Sequence, residues 1–353
     1  MNRPKTSKAA ILVELNKPLV IGEIALPESL DVGQVLVKIH WSGICGSQLG
    51  EIDGAKGEDK YLPHLLGHEG SGTVIEVGAG VRHVKPGDKV VLHWRKGPGI
   101  ESPTPVYKWE GRQVNAGWIT TFNEFAVVSE NRVTAIPADS DLEVAALFGC
   151  AVTTGFGVVQ NNSKVRIGES VVVFGAGGVG LNIVQAAALV TAHPIIAVDI
   201  HDNRLALAAK MGATHLINSR KEDVKLRIRE LVGPPGVDVF IDNTGQPSII
   251  QMAYELTGPQ GRVTLVGVPR KGNDITLHSL ALHFGKVLAG SHGGETVPEQ
   301  DIARYHALFR AGRIKLRELL SRECRLSEIN TAIREMRDGT LAGRCLIRLQ
   351  SEK

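Results

Sequence analysis

Three side chains of the kinds that bind zinc lie beside glycines in the first half of the 353-residue chain. They are Cys45, His68 and Cys150. Two thiolates and one imidazole suit Zn²⁺ in ligand softness, and a set of three protein ligands leaves a fourth coordination position open. Because an open position is typical of a catalytic zinc, the pattern predicts that these three residues hold one.

Glu69 directly follows the predicted ligand His68. A carboxylate at this position is suited to serve as an exchangeable fourth ligand, or to orient a ligand from behind. The alternative is an ordinary exposed glutamate that takes no part in the metal site.

A second motif, Gly175-x-Gly177-x-x-Gly180, follows an apolar run and precedes a predicted helix. The first glycine permits a tight turn, the second lets the backbone approach a pyrophosphate, and the third lets helix and strand pack closely. Asp199 ends the next predicted strand, where a carboxylate suits ribose hydroxyls and repels a 2′-phosphate. Arg204 lies either near the adenosine or on a solvated helix face. The motif therefore predicts NAD binding by Gly175, Gly177, Gly178, Val179, Gly180 and Asp199.

The predicted secondary structure changes along the chain. Up to about residue 150, short strands at 9–13, 35–39, 72–77 and 89–92 are separated by turns, which favours a compact, barrel-like domain. Beyond 170, strands mostly alternate with helices, which is typical of a doubly wound parallel sheet. The strands are predicted at 171–174, 194–199, 215–218, 237–242, 262–267 and 286–290, and the helices at 178–190, 203–211, 221–231 and 248–256.

The C-terminal segment does not extend this pattern. It reads as helices at 299–310 and 327–338 and a strand at 344–349. We expect it to return to the first domain, which makes that domain discontinuous. The expected division is 1–151 with 292–353, and 152–291.

Charge and cysteine content restrict the partners and the compartment. A net charge of +3 gives no basis for binding nucleic acid or an anionic membrane. The apolar run that begins at Ala9 is cut by Glu14, so it is too short for a signal peptide or a membrane span. We therefore expect a cytoplasmic protein with reduced thiols, in which Cys324 and Cys345 lie in the core.

Segment 93–118 is unusual, because it carries three of the four tryptophans and three prolines. We read it as one long loop, and loops of this length inside a compact domain are usually functional or disordered. Its aromatic content argues against disorder. It serves either to recognise a substrate or simply to pack.

Taken together, these motifs resemble the zinc alcohol dehydrogenases of the medium-chain dehydrogenase/reductase family over essentially the whole chain. The shared motifs are the Gly-His-Glu run at 67–78, Lys85-Pro86-Gly87-Asp88, Gly149-Cys150, the nucleotide motif with Asp199, and Gly343-Arg344-Cys345-Leu346-Ile347. The resemblance implies an α/β protein with a GroES-like, mostly-β catalytic domain and a Rossmann domain. It also implies that Cys45, His68 and Cys150 bind a catalytic zinc and that the cofactor is NAD.

The resemblance extends to further site residues. Ser47 matches the hydroxyl that takes the substrate's proton. The positions near the nicotinamide match Thr154, Val266, Ser291 and Gly293. The positions that line the substrate pocket match Trp94, Phe122 and His292.

Two departures from the family pattern matter. Segment 93–118 stands where many relatives hold a structural zinc with four clustered cysteines, and it contains no cysteine. We therefore expect one zinc per chain. Gly50 stands where many relatives end the proton relay with a histidine, so the relay must end in water or in another group such as His292 or His40.

The substrate is the least defined part of the prediction. Aromatic and charged groups in 93–118, with His292, favour a secondary alcohol of a sugar, polyol or cyclitol. Simple alcohols remain the alternative if that segment only packs. Two further readings are a zinc-free quinone or enoyl reductase, which the ligand set and Asp199 oppose, and a non-catalytic nucleotide-binding protein. The family also implies a homodimer or homotetramer that pairs through the last strand of the Rossmann domain.

Overall fold

The computed structural model describes residues 3–350, which form two compact units. The first unit holds the described residues up to Cys150 and from Val297 onward. The second unit is Ala151–Thr296. The chain therefore leaves the first unit once and returns to it.

The N-terminal part of the first unit is mostly β, because short apolar runs alternate with turns at glycine, proline and aspartate. Its elements are β1 (Thr6–Leu12), β2 (Val20–Ala25), β3 (Gln34–Ile44), α1 (Gly46–Ile52), β4 (His64–Leu65), β5 (Glu69–Val77), β6 (Lys89–His93), β7 (Val106–Trp109), β8 (Arg112–Asn115), β9 (Phe125–Ser129), β10 (Val133–Ala135) and α2 (Leu142–Ala145).

The second unit alternates helices with strands. Its elements are α3 (Ala151–Gly157), β11 (Val171–Phe174), α4 (Gly178–Leu189), β12 (Ile195–Asp199), α5 (Asp202–Met211), β13 (His215–Asn218), α6 (Val224–Val232), β14 (Val237–Asp242), α7 (Pro247–Leu256), β15 (Thr257–Leu265) and β16 (Val287–Gly290). The predicted helix at 221–231 begins later, at Val224, because the Asp223 side chain accepts a hydrogen bond from Leu226 N at 3.0 Å and so caps the helix.

All strand pairs of the second unit are parallel, in the order β13-β12-β11-β14-β15-β16. Apolar side chains from neighbouring strands, such as Val172, Val198 and Phe240, fill its core. The strand order reverses beside β11, and ligands of such sheets bind beyond the carboxyl end of the strands at that point. The predicted α/β fold with a doubly wound parallel sheet is confirmed.

The C-terminal segment completes the first unit with α8 (Pro298–Arg310), β17 (Leu320–Arg325), α9 (Ile329–Arg337) and β18 (Arg344–Arg348). These strands extend one sheet of the order β10-β6-β5-β3-β18-β17, with β9 also paired to β3. A closed barrel of β1-β2-β7-β8-β4 lies beside it in the same unit. The sequence prediction missed β17, because this edge strand is largely polar.

Segment 93–118 is not one long loop, so that prediction was wrong. It contains the antiparallel pair β7 and β8, in which Trp109 pairs with Arg112. The two residues between them, Glu110 and Gly111, both have positive φ values, 48° and 74°. A two-residue turn of this kind matches the twist of a hairpin, which is why the chain reverses here.

Within residues 3–350, no single helix combines the length and apolarity needed to cross a membrane. The helical stretches Leu142–Gly149 and Ala151–Asn162 meet that test only when they are counted together as a bent pair.

Candidate active site

Cys45 and His68 come together because β3 and β5 are antiparallel. Ser42 near the end of β3 pairs with Gly70 near the start of β5. Cys45 follows β3 directly, and His68 directly precedes β5. The pairing therefore places the two side chains at the same end of the sheet.

Cys150 reaches them through a close backbone contact. A methyl group on Gly149 would lie 2.3 Å from Leu92 O and 2.9 Å from Glu69 Cα. Only glycine allows this approach, because both neighbours are backbone atoms. The residue before Cys150 thus packs against the residue that follows His68.

The three side chains form a group that fits zinc. The ligand atoms of Cys45, His68 and Cys150 all lie within 4.8 Å of one another. His68 Nε2 is buried and has no hydrogen-bond partner among the described residues, as expected for a metal-binding nitrogen. The pKa of the Cys45 thiol lies well below its ordinary value, first because Cys150 hydrogen-bonds to it and also because of His68 and Arg344, although burial opposes the shift. A lowered thiol pKa favours the thiolate that binds metal.

Ser47 and Gln48 lie beside the imidazole of His68. The exposed hydroxyl of Ser47 is 3.5 Å from His68 Nδ1. Gln48 is buried, its Nε2 contacts the same nitrogen, and its Oε1 accepts a hydrogen bond from Cys45 N at 3.0 Å. Gln48 was missed by the sequence prediction. Its place three residues after Cys45, at the start of a short helix, is the signal that could have found it.

Glu69 is completely buried, so the reading of an ordinary exposed glutamate was wrong. Its carboxylate forms an ion pair with the guanidinium of Arg344, which is 3% exposed. A methyl group on Gly43 would lie 2.5 Å from Glu69 Oε1 and 2.9 Å from Arg344 Nη2, so this glycine makes room for the pair. A charged residue that opens the apolar run 345–347 needs a buried partner, which is the sequence signal for Arg344.

Trp94 and Phe122 occupy different surroundings in the first unit. Glu69 pairs with His93, so Trp94 follows directly across from His68. Trp94 is half-buried, and the Arg95 guanidinium lies 5.9 Å from its ring centre. Phe122 is fully buried in the core, where its ring contacts the space beside Gly67. Of the two, Trp94 is the one that a ligand of the metal centre can touch.

The other tryptophans of 93–118 serve the surrounding structure. The indole of Trp109 fills the space left by Gly22, whose added methyl group would lie 2.5 Å from Trp109 Nε1. Trp118 is 65% exposed, and the Arg132 guanidinium lies 5.1 Å from its ring centre.

The three motif glycines of the second unit have distinct geometries. Gly175 has a φ of 94°, which favours glycine at the turn after β11. A methyl group on Gly180 would lie 2.0 Å from Gly175 O, so this position requires close packing of α4 on the turn. A methyl group on Gly177 would meet nothing within 4 Å, which leaves open space beside the backbone. Gly178 and Val179 form the first turn of α4 behind that space.

Asp199 lies at the end of β12 and is 4% exposed. Its Oδ2 accepts a hydrogen bond from Ala176 N at 2.8 Å, which ties it to the glycine turn. Arg204 Nη1 is 3.8 Å from the same oxygen, so its side chain lies against Asp199 rather than on a separate helix face. The carboxylate retains lone pairs for a further donor, such as a hydroxyl group.

The predicted nicotinamide residues converge within the second unit. A methyl group on Gly294 would lie 2.7 Å from Thr154 O, so α3 contacts the turn that holds Ser291 and Gly293. Ser291 N donates to Leu265 O at 2.8 Å, which brings this turn beside Val266. Thr154 Oγ1 is buried and has no hydrogen-bond partner in the described part of the chain. His292 is exposed on the same turn.

The two candidates for the end of the proton relay lie apart in the sequence and in their surroundings. His40 lies in β3, with its Nε2 3.2 Å from Thr73 Oγ1. Burial, followed by Lys38 and Lys89, lowers the pKa of His40. His292 lies in the second unit.

The comparisons with known proteins agree with this arrangement. Residues 31–138 match the alcohol dehydrogenase GroES-like domain family. Residues 178–310 match the zinc-binding dehydrogenase family. The predicted GroES-like domain and Rossmann domain are therefore confirmed.

Individual relatives match along nearly their whole length. S-(hydroxymethyl)glutathione dehydrogenase of Paracoccus denitrificans is 31% identical over 94% of this chain and 97% of its own. The structure of benzyl alcohol dehydrogenase from Acinetobacter calcoaceticus matches with a TM-score of 0.88 and 28% identity, covering 98% of this chain and 100% of that chain. The structure of 2R,3R-butanediol dehydrogenase from Bacillus subtilis matches with a TM-score of 0.78 and 26% identity, covering 98% and 100%. The chain belongs to the zinc-dependent alcohol dehydrogenases of the medium-chain dehydrogenase/reductase family.

Proposed function

We propose that Cys45, His68 and Cys150 hold the single catalytic zinc of this NAD-dependent dehydrogenase, and that its substrate is a secondary alcohol of a sugar, polyol or cyclitol. The observation that carries the zinc assignment is the convergence of three ligand atoms within 4.8 Å, with His68 Nε2 buried and unpartnered among the described residues. When bound, zinc supplies Lewis acidity toward the oxygen of an alcohol or carbonyl.

The chain's own residues supply the proton path and the cofactor site. Ser47 Oγ is exposed beside His68, so this hydroxyl is placed to accept the proton of the alcohol and pass it to solvent. When bound, NAD supplies the acceptor for hydride. We assign its binding to Gly175, Gly177, Gly178, Val179, Gly180, Asp199, Arg204, Thr154, Val266, Ser291 and Gly293.

Two observations support a polyhydroxylated substrate. Trp94 offers an apolar ring next to His68, and Arg95 beside it adds N–H donors. Aromatic faces and donors together suit compounds that carry several hydroxyl groups. The diol dehydrogenase among the similar structures points to the same class, and His292 is an exposed polar group on the second unit.

A second candidate is a simple or aromatic alcohol. The similarity to benzyl alcohol dehydrogenase favours it, with a TM-score of 0.88. The packing of Trp109 against Gly22 also favours it, because part of segment 93–118 thereby serves the fold rather than a substrate.

The experiment is NADH formation by zinc-loaded protein with NAD⁺ against simple alcohols, benzyl alcohol, polyols, sugars and cyclitols, with a chelator control. Chelator-sensitive activity that is highest on polyhydroxylated compounds is the expected result. The same panel with Trp94→Ala should show a selective loss on those compounds. Highest activity on simple or aromatic alcohols would contradict the polyol assignment, and activity that the chelator does not affect would contradict the zinc assignment.

We also infer a homodimer or homotetramer that pairs through the edge of the second unit. β16 is the last strand of its sheet, and Val287 on it is 45% exposed. Leu280 and Phe284, just before it, are 55% and 67% exposed. An exposed apolar edge strand is suited to pairing with another chain. Phe284→Glu should convert the oligomer to monomers in light scattering; a native monomer would contradict this inference.

We place the enzyme in the cytoplasm. Cys45 and Cys150 must remain thiols to bind metal, and Cys324 and Cys345 lie buried with their sulfurs 3.9 Å apart and no disulfide between them. Four reduced cysteines suit a reducing compartment. Fractionation of the native host's cells tests this, and recovery from an extracytoplasmic fraction would contradict it.

A further inference from the structure

Gln48 is the one side chain that bonds both to the predicted ligand His68 and to the backbone of Cys45. Its Oε1 accepts from Cys45 N at 3.0 Å, and its Nε2 contacts His68 Nδ1. Gln48 N also donates to Cys45 O at 3.1 Å, so the two residues close the first turn of α1. Gln48 is 1% exposed, so water does not compete for these bonds.

The two bonds of the amide make different demands on His68. A backbone N–H only donates, so the atom of Gln48 that faces Cys45 N must be the oxygen, and the NH₂ group then faces Nδ1. An NH₂ group donates to a nitrogen lone pair, which puts the ring proton on Nε2. Zinc binding through Nε2 requires the opposite tautomer, with the proton on Nδ1.

We propose that Gln48 positions His68 as a zinc ligand and that its amide turns over when zinc binds. In the turned amide, the oxygen accepts the Nδ1 proton of His68 and gives up Cys45 N. Gln48 therefore links metal loading to the first turn of α1. This inference rests on the zinc site proposed above.

The amide distinguishes this centre from one with a carboxylate in the same place. Histidines that bind metal usually donate their second N–H to a carboxylate, a backbone carbonyl or water. A glutamate at position 48 has two acceptor oxygens, so it can bond to Cys45 N and to Nδ1–H at the same time. Gln48→Glu should therefore retain or strengthen zinc binding, whereas Gln48→Leu loses both bonds.

The test is the zinc dissociation constant, measured by competition with a chromophoric chelator. Gln48→Leu should bind zinc about 10–100-fold more weakly than the native protein. Gln48→Glu should bind at least as tightly as the native protein. Gln34→Leu is the matched control, since Gln34 is also buried in the first unit and bonds by its side chain to Asp31 N and Pro103 O. Native affinity in Gln48→Leu, or an affinity of Gln48→Glu more than threefold below native, would overturn the inference.

A spectroscopic measurement tests the turn of the amide itself. In ¹⁵N-labelled native protein, the side-chain NH₂ resonances of Gln48, assigned by their loss in Gln48→Glu, should shift on zinc addition. Those of Gln34 should stay in place. Resonances of Gln48 that do not move on zinc addition would contradict the turn.

The outcomes separate this inference from the proposed zinc site. If the native protein bound no zinc, the site itself would be wrong. If the native protein bound zinc and Cys150→Ser did not, while Gln48→Leu bound it like the native protein, only the role of Gln48 would fail.

Discussion

Glu69 and Arg344 form a buried ion pair directly behind the predicted zinc ligand His68. Glu69 opens β5 and Arg344 opens β18, two strands on either side of β3. Both side chains are almost fully shielded from water, at 0% and 3% exposure. The pair therefore joins the C-terminal segment to the metal-binding end of the sheet.

Removal of the arginine should leave an uncompensated charge in the core. We expect Arg344→Met to lower the free energy of unfolding by about 3–5 kcal/mol, because Glu69 then stays buried without its partner. Denaturant unfolding of the zinc-free protein measures this. Arg310→Met is the control, since its pair with Asp139 is more than half exposed on both sides and should contribute less than about 1 kcal/mol. Equal effects of the two variants would contradict the buried pair.

Ser47 should affect catalysis without affecting binding. Its hydroxyl is exposed beside His68, where proton transfer by a positioned side chain contributes about 10²–10⁴-fold to a rate. We expect Ser47→Ala to lower kcat within that range and to leave zinc content and the Kd for NADH unchanged. Ser47→Thr, which keeps the hydroxyl, should retain most of the activity. Full activity in Ser47→Ala would remove this residue from the proton path.

Gly177 and Gly180 should respond differently to the same substitution. Gly180→Ala places a methyl group 2.0 Å from Gly175 O and should lower the Tm of the second unit. Gly177→Ala meets open space in the free protein, so its Tm should stay near that of the native protein. Its Kd for NADH should rise about tenfold or more, because the methyl group stands where a pyrophosphate would approach. Calorimetry gives both quantities, and native NADH affinity in Gly177→Ala would contradict the predicted phosphate site.

His93 should make the first unit sensitive to acid. It is 1% exposed, and burial lowers its pKa from 6.5 to about 4, although a hydrogen bond to the Arg95 carbonyl opposes the shift. Between these two values the unfolded chain binds a proton that the folded chain does not, so stability is complete above pH 6.5 and falls as the pH is lowered. The loss at pH 5 is about 2 kcal/mol.

Substitution of His93 isolates this contribution. We expect the loss of unfolding free energy between pH 7 and pH 5 to be about 2 kcal/mol smaller in His93→Gln than in the native protein. His283→Gln, at an exposed histidine of the second unit, should retain the native pH dependence. The same pH dependence in native protein and His93→Gln would show that His93 does not titrate in this way.

Much of this architecture could be predicted from the sequence, because the signals are local. Gly175, Gly177 and Gly180 lie between a buried strand and a helix, and that order defines a nucleotide-binding turn wherever it occurs. The strand and helix pattern after residue 170 likewise predicted six parallel strands, and six are present.

The parts that could not be predicted depend on pairing between distant segments. Arg344 contacts Glu69 only because β3 lies between β18 and β5, an order that no local pattern reveals. Phe122 matched a pocket position by resemblance, yet its contacts place it in the core. The hairpin of β7 and β8 was missed because proline-rich flanks concealed a two-residue turn at Glu110.

The central claim is that Cys45, His68 and Cys150 hold one catalytic zinc. It is tested most directly by zinc content per chain together with NADH formation in the native protein, Cys150→Ser and Cys324→Ser. We predict one zinc in the native protein and in Cys324→Ser, and no zinc and no turnover in Cys150→Ser, which should still bind NADH. Two zinc ions in the native chain, or full zinc and turnover in Cys150→Ser, would contradict the account.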